Sequence, residues 1–302
     1  MKVFRGIESI KRLNRPVAAL GVFDGVHAGH INILRSAVRE ARRIRGTSLV
    51  VTFWPHPQKE KSLYSLEHRL RLISQLGIQA CLVINFNSRF RRIKAEDFVK
   101  NILAGRLGVR RVFVGANFRF GKNGTGDARL LRKLSHIYNY KVRVFKVIKI
   151  NNRPVSSTNI RNLIRKGSLV GAQKLLTRPV SVLGTVIKGQ SLARIFGFPT
   201  ANIDPHHEVT PLPGIYAVRA VYNNKIYFGA CYIGSRPTFE ISEGKHIEVH
   251  MFGFKRKIYG KFLEIQFVKK IRNDKKFKNL RSLACQISKD ISSIRTMFRL
   301  SR

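Results

Sequence analysis

Acidic side chains are what this sequence has least of: 16 Asp plus Glu stand against 58 Lys plus Arg in 302 residues, a formal net charge of +42. Such a field attracts phosphate-rich molecules and can hold nucleic acid non-specifically. The basic residues are spread along the whole chain, and no block of five or six like charges forms a tail. Nor is there the aromatic-basic cluster of the usual RNA modules, so no specific nucleic-acid partner is expected. A generally basic proteome would account for the charge equally well, because net charge speaks to solubility and association, not to fold. Cysteine is scarce too. Cys81, Cys231 and Cys285 lie far apart, which excludes a metal knuckle or a paired redox motif and fits buried thiols in a reducing cytosol. No run approaches the ~18 apolar residues of a membrane span. The basic N-terminus lacks the apolar core of a signal peptide. These absences predict a soluble, cytoplasmic protein with no membrane partner.

What is present suits packed cores: 44% of residues are hydrophobic, and the length corresponds to roughly two domains. Over the first half, apolar runs alternate with helical patterns. Strands are predicted at 17–23, 48–53, 81–86, 112–115 and 141–148, and helices at 30–45, 66–76, 95–106 and about 157–166. That alternation predicts an α/β domain with a mostly parallel sheet covered on both faces, and ligands beyond the carboxyl ends of its strands. After about Leu176 the pattern changes. Thr177-Arg178-Pro179 reads as a linker, giving domains 1–176 and 177–302. Strands at 180–188, 214–222, 225–233, 246–254 and 262–268 follow without intervening helices, with Asn223-Asn224 as a hairpin turn, and the segment 274–298 is helical. This predicts a small β-barrel closed by a C-terminal helix.

The chemistry concentrates first in Gly21-Val22-Phe23-Asp24-Gly25-Val26-His27-Ala28-Gly29-His30. A strand, a glycine-framed turn and then a helix make a phosphate-handling arrangement. Glycines let the backbone approach a ligand, and the helix start offers free N–H groups and a positive dipole end. His27 and His30 stand three apart and would share a face if both lie on the first turn. Imidazolium donors there can neutralise charge on a transferring phosphoryl group. A capping histidine or a metal-ligand pair would use the same spacing. Further on, Ser157 and Thr158 precede a helix and can cap it. The same groups, with Arg161 as a fork, can hold a phosphate. The loop Gly121-Lys122-Asn123-Gly124-Thr125-Gly126 lacks the ending of a nucleoside-triphosphate phosphate loop and reads as a flexible loop.

At the histidine segment the chain resembles the HxGH nucleotidylyltransferases, specifically the bifunctional riboflavin kinase/FAD synthetases of bacteria. The resemblance continues in order. Thr52-Phe53-Trp54-Pro55-His56-Pro57 is similar to the family's Thr-Phe-x-Pro-His-Pro loop, with Trp54 where Glu is common. Residues 114–121 resemble its flavin-contacting stretch, which implies flavin-binding roles for Asn117, Phe118 and Phe120 and places the 121–126 loop beside them. Val155-Ser156-Ser157-Thr158-Asn159-Ile160-Arg161 matches its Ser-Ser-Thr-x-Ile-Arg motif. The resemblance implies a Rossmann-like domain that transfers an adenylyl group from ATP to FMN. His27, His30 and Arg161 would serve as its catalytic groups, with Gly21, Phe23, Asp24, Gly25, Ser157 and Thr158 around the ATP phosphates.

The second half carries its own set. Arg194-Ile195-Phe196-Gly197-Phe198-Pro199-Thr200-Ala201-Asn202 is similar to the riboflavin kinase motif. That implies Arg194, Thr200 and Asn202 on the ATP phosphates, and Thr200 and Asn202 presenting oxygens to Mg²⁺. Pro213-Gly214-Ile215-Tyr216 and Gly234-Ser235-Arg236-Pro237-Thr238-Phe239 also match, with Tyr232 where Asn is usual. Ile247-Glu248-Val249-His250 resembles the strand bearing the kinase general base, so Glu248 is the implied base; from pattern alone it would be a solvated strand residue. Gly253 and Lys257 replace two acids of the family pattern, and Gln190-Ser191-Leu192-Ala193 replaces a Gly-rich basic approach to Arg194. The expectation is a bifunctional enzyme acting on riboflavin, FMN, FAD and ATP with Mg²⁺. Two rivals remain: a chain that only adenylylates, and a nucleic-acid binder recruited by charge.

Overall fold

The computed structural model describes residues 1–56, 62–189, 197–235 and 245–300. It separates into two compact units, Met1–Ser62 with Leu66–Asn159 and Leu63–Ser65 with Ile160–Arg302.

In the first unit, β1 (Lys2–Arg5), β2 (Val17–Leu20), β3 (Ser48–Trp54), β4 (Ala80–Asn85), β5 (Arg111–Gly115) and β6 (Lys141–Phe145) form one parallel sheet in the order β1-β4-β3-β2-β5-β6. Its central strands are buried along nearly their full length, as they must be when helices cover both faces. One face packs on α1 (Ala28–Arg43), whose Leu34, Ala37, Val38 and Ala41 point inward as the helical spacing predicts. The helix α2 (Leu66–Gln75) follows β3. The other face builds a core from Leu20, Val51, Phe53, Ile84 and Val114 against Phe98, Val99, Ile102 and Leu131. Those partners come from α4 (Ala95–Asp97, continuing in π-helical turns over Phe98–Arg106) and α5 (Ala128–Ile137), with Phe90 of α3 (Ser88–Arg91) edge-on to Phe98. In sequence order the sheet grows outward from β2 through β3 to β4, then restarts at β5 on β2's other side. The carboxyl ends of β2 and β5 therefore flank a crevice, the position where ligands bind in such sheets.

Several elements escape the periodicity reading. The strands β1 and β10 (Ala201–Asp204) are four residues each. The helix α5 starts at the Asp127 cap, whose carboxylate accepts from the N–H groups of Arg129 and Leu130 at 2.8 and 3.0 Å. The strand expected over 141–148 ends at Phe145 and gives way to a hairpin, β7 (Lys149–Ile150) and β8 (Arg153–Pro154). Asn151 and Asn152 make its turn at φ 50° and 60°, the left-handed pair that a tight hairpin needs.

The second unit carries most of α6 (Ser157–Arg165), then α7 (Leu169–Leu176) and a closed antiparallel barrel in the order β10-β13-β12-β11-β14-β9. The remaining strands are β9 (Val180–Ile187), β11 (Gly214–Tyr222), β12 (Lys225–Ser235), β13 (Lys245–Met251) and β14 (Phe262–Arg272). Closure comes from short β10, which pairs with β13 on one side and β9 on the other. Val182, Ile203, Cys231, Ile247, Val249 and Ile265 fill the interior. The final helix α8 (Leu280–Met297) is tied down by Asp290, which accepts from Arg272 Nη2 at 2.8 Å and Gln286 Nε2 at 2.8 Å. Within this unit Glu208 accepts from Ser65 N–H and hydroxyl and from Leu183 N–H, which anchors the tripeptide Leu63–Ser65. Cys81 and Cys231 are buried as expected, whereas Cys285 is exposed because it lies on the outer side of α8.

Candidate functional site

The strand predicted over 17–23 stops at Leu20, and the reason is the turn that follows. Phe23 has φ 54°, Gly25 84° and Val26 40°. An aromatic and a β-branched residue in the left-handed region are costly and persist only where the surroundings enforce them. Here the Val22 carbonyl accepts from Thr52 Oγ1 at 2.9 Å and from Arg69 Nη1 at 2.6 Å. The Asp24 carbonyl accepts from Ser157 Oγ at 2.7 Å. Phe23, Asp24, Gly25 and Val26 are buried as a result.

His27 lies at the N-cap of α1, not inside its first turn: its Nδ1 accepts from His30 N–H at 3.4 Å. A neutral His27 in that role carries its proton on Nε2. The two imidazoles stack, with centroids 3.6 Å apart and planes at 17°, and Phe23 meets His30 edge-on at 5.3 Å. A Cβ on Gly29 would press on the His27 ring at 3.2 Å, so the stacked imidazole would have to shift. Paired imidazoles at a helix N-terminus, on the carboxyl edge of the sheet, have the chemistry to receive anionic oxygens.

Arg69 on α2 is 1% exposed, with Trp54 stacked on its guanidinium at 5.3 Å. Burial pulls its pKa below the ordinary arginine value, opposed by the nearby Asp24 charge. Beyond β5, Asn117 is exposed, while Phe118 and Phe120 stack at 5.7 Å and Phe120 rests on Phe98. The 121–126 loop is more closed than the sequence suggests: Phe120 and Gly126 exchange backbone hydrogen bonds of 3.0 and 2.9 Å. At α6 the cap is Ser156, which accepts from Asn159 N–H at 3.2 Å, one residue earlier than the expected Ser157 and Thr158. Ser157 is thereby free to hold the Asp24 carbonyl, Thr158 faces solvent, and Arg161 is buried at 5% exposure.

In the barrel, β13 alternates cleanly. Ile247, Val249 and Met251 point inward; His246, Glu248 and His250 form the outward row. Glu248 lies opposite Asn202 on β10 and Tyr232 on β12, so the three share that outer face. Thr200 Oγ1 donates to Glu248 Oε2 at 3.0 Å, and His246 Nε2 is 2.5 Å from Glu248 Oε1. Burial works to raise the Glu248 pKa, but His246 and Thr200 outweigh it and hold the carboxyl below its ordinary value. Asn202 is 3% exposed, and its Oδ1 has no hydrogen-bond partner among the described residues. Gly189 is packed so closely on this amide that a Cβ would collide with it. Tyr232 Oη donates to Asp274 at 3.2 Å, and burial together with that carboxylate pushes its pKa up to about 12. Gly253 has φ 70° in the turn after β13, a conformation that favours glycine over the acid expected there.

The structure brings His27 with His30, Ser157 with Asp24, and Thr200 with Glu248 and Asn202. Arg194, Gln190-Ser191-Leu192-Ala193, Arg236-Pro237-Thr238-Phe239 and Pro57 lie outside the described residues. Arg69, Ser156, His246 and Gly189 escaped the sequence reading. His246 had a signal, since it stands two residues before Glu248 on a strand and so shares its face. Arg69 had none, because its role depends on packing between α2 and the loop after β2.

A family model described as FAD synthetase matches residues 9–159, and one described as riboflavin kinase matches residues 176–298. A bifunctional riboflavin kinase/FMN adenylyltransferase of Buchnera aphidicola subsp. Schizaphis graminum is 35% identical, over 99% of this chain and 100% of its own. Proteins of the same description from Escherichia coli and Pseudomonas fluorescens are 32% and 33% identical; the alignments cover 100% and 98% of this chain and 99% and 98% of theirs. A solved structure described as a macrolide-efflux protein from Streptococcus pneumoniae superposes with a TM-score of 0.82 at 25% identity, covering 98% of this chain and 99% of that one. Among the described residues no helix is long and apolar enough to cross a membrane. With both family models matched in order and relatives aligned end to end, the chain belongs to the bifunctional riboflavin kinase/FMN adenylyltransferase family.

Proposed function

We propose that the two activities of this family are divided along the chain, with adenylyl transfer in residues 1–176 and the kinase in 177–302. The enzyme converts riboflavin and ATP to FMN and ADP, then FMN and a second ATP to FAD and pyrophosphate. The observation that carries the kinase assignment is the outer-face group of Glu248, Thr200 and Asn202. The riboflavin 5′-hydroxyl attacks the γ-phosphorus as Glu248 accepts its proton. His246 and Thr200 favour the ionised carboxylate that this step needs.

Mg²⁺ fits this site. The buried Asn202 Oδ1, without a hydrogen-bond partner among the described residues, is a hard oxygen donor, and Thr200 Oγ1 is a second one. Mg²⁺ characteristically takes few protein ligands and fills its shell with substrate phosphates and water. When bound, it would neutralise charge on the transferring phosphoryl group. Arg194 belongs to the same motif and completes the phosphate-binding set in this reading.

In adenylyl transfer the FMN phosphate attacks the α-phosphorus of ATP, and pyrophosphate leaves. No covalent enzyme intermediate is required. His27 and His30 meet the growing negative charge from the start of α1, and Arg161 adds a guanidinium. Gly21, Phe23, Asp24 and Gly25 shape the turn, Ser157 and Thr158 lie at the start of α6, and Asn117, Phe118 and Phe120 face the flavin. The cysteine pattern favours a cytoplasmic setting.

Riboflavin, Mg²⁺ and ATP supplied together should yield FMN first and then FAD. FAD from supplied FMN, with no product from riboflavin, would remove the kinase assignment and leave a chain that only adenylylates. Chelation of Mg²⁺ should abolish FMN formation.

A further inference from the structure

The strained turn before α1 has a support outside the motifs that carry the family resemblance. Arg69 reaches from α2 to the Val22 carbonyl at 2.6 Å, the same oxygen that Thr52 holds from β3. Both acceptor sites of that carbonyl are thus occupied, one residue before Phe23 and five before His27. Asp24 lies close enough for its charge to stabilise the guanidinium. Yet Arg69 is 1% exposed, and its Nε and Nη2 have no hydrogen-bond partner among the described residues. Asp24 and Glu67 supply opposing charge, but those two donors still lack a partner there, and a buried cation in that condition gains from further compensation. The Trp54 ring, 5.3 Å from the guanidinium carbon, adds it as a cation–π contact. Trp54 is also the residue of the Thr52–Pro57 segment that departs from the family pattern, where a carboxylate is common.

We propose that Arg69 is a positioning residue for adenylyl transfer: it clamps the Val22 carbonyl so that the turn delivers His27 and His30 in register, with the Trp54 π-face as its partner. The inference rests on the assignment of adenylyl transfer to the first part of the chain. Arg69 touches no reacting atom. It acts through the backbone of the histidine turn, so its loss should misplace the imidazoles more than it weakens ATP binding.

The test uses the full-length enzyme and follows FAD formation from FMN with ATP varied, alongside FMN formation from riboflavin by the same preparation. Arg69→Met should lower kcat for FAD formation by about tenfold or more, with KM for ATP changed less than about threefold, because misplacement costs transition-state stabilisation. Arg69→Lys, which keeps the charge and one donor, should recover most of that loss. FMN formation should stay within about twofold of wild type, because simple loss of transition-state contacts at one site leaves the other untouched. Trp54→Leu, which removes the π-face, should slow FAD formation, and Trp54→Glu should recover much of the rate. The two sites should also couple, with Arg69→Met and Trp54→Leu together costing less than the sum of the single losses.

FAD formation by Arg69→Met at the wild-type rate would overturn the clamp, as would equal loss of both reactions or no recovery with lysine. Should Arg69→Met fail to fold, the Trp54 pair decides: Trp54→Leu as active as wild type overturns the proposal. Wild-type enzyme that makes no FAD from FMN removes the adenylyl assignment itself, a result distinct from an insensitive Arg69.

Discussion

On β13 the Glu248 carboxyl is pulled in opposite directions, and the balance sets a pH dependence. Burial raises its pKa; the His246 and Thr200 contacts lower it further than burial raises it. With Glu248 as the proposed base, a carboxyl held below its ordinary value stays ionised as pH falls, so the acid limb of kcat/KM for FMN formation should lie below the ordinary glutamate value of about 4.3. His246→Ala removes the main lowering influence and leaves Thr200 alone against burial, so the limb should move upward. A limb that stays in place would detach His246 from the base. The same depression stabilises the folded barrel above the unfolded-state pKa, and that share is lost as pH falls through the lowered folded-state value. Glu248→Gln should abolish most FMN formation while FAD formation from FMN persists. His30→Ala should do the reverse. Equal loss of both products in either variant would refute the division of labour.

At the level of elements, the proposed kinase site depends on Gly189, just beyond β9. Gly189 lies against the Asn202 amide, and a methyl there must displace it. Gly189→Ala should slow FMN formation on the order of tenfold, since small misplacements of a reacting group are costly. Ser156→Ala should destabilise the start of α6 by about 1 kcal/mol, the usual worth of a helix cap, read as a shift in denaturant midpoint. The sequence carried the architecture because long apolar runs and helical spacing fall where the parallel sheet and the barrel strands lie. It missed β1 and β10 because, unlike the equally short β2, neither is an unbroken buried apolar run, and four residues give no usable period. It set the α6 cap one residue late because Ser156, Ser157 and Thr158 all have capping chemistry, and only the backbone decides among them. His27 and His30 were legible from spacing, but their stacking was not, since it follows from a turn held by Thr52, Arg69 and Ser157. Glu248 was legible only through family likeness. Its surroundings assemble from three strands that are distant in sequence.

Across the whole molecule, the +42 charge adds an association property independent of the two sites. Two unrelated DNA duplexes should bind with equal, weak affinity, falling steeply between low and moderate salt as counterion release predicts. A strong preference for one sequence would contradict that reading. The chain also contains a single tryptophan, and Trp54 belongs to the first compact unit. Emission excited at the red edge of protein absorption therefore reports on that unit alone, whereas far-ultraviolet circular dichroism sums helix and strand from both. Heating one sample under the two probes turns an accident of composition into a gauge of cooperativity: coincident transitions would mark a molecule that melts as one, and an offset would give each half its own melting temperature.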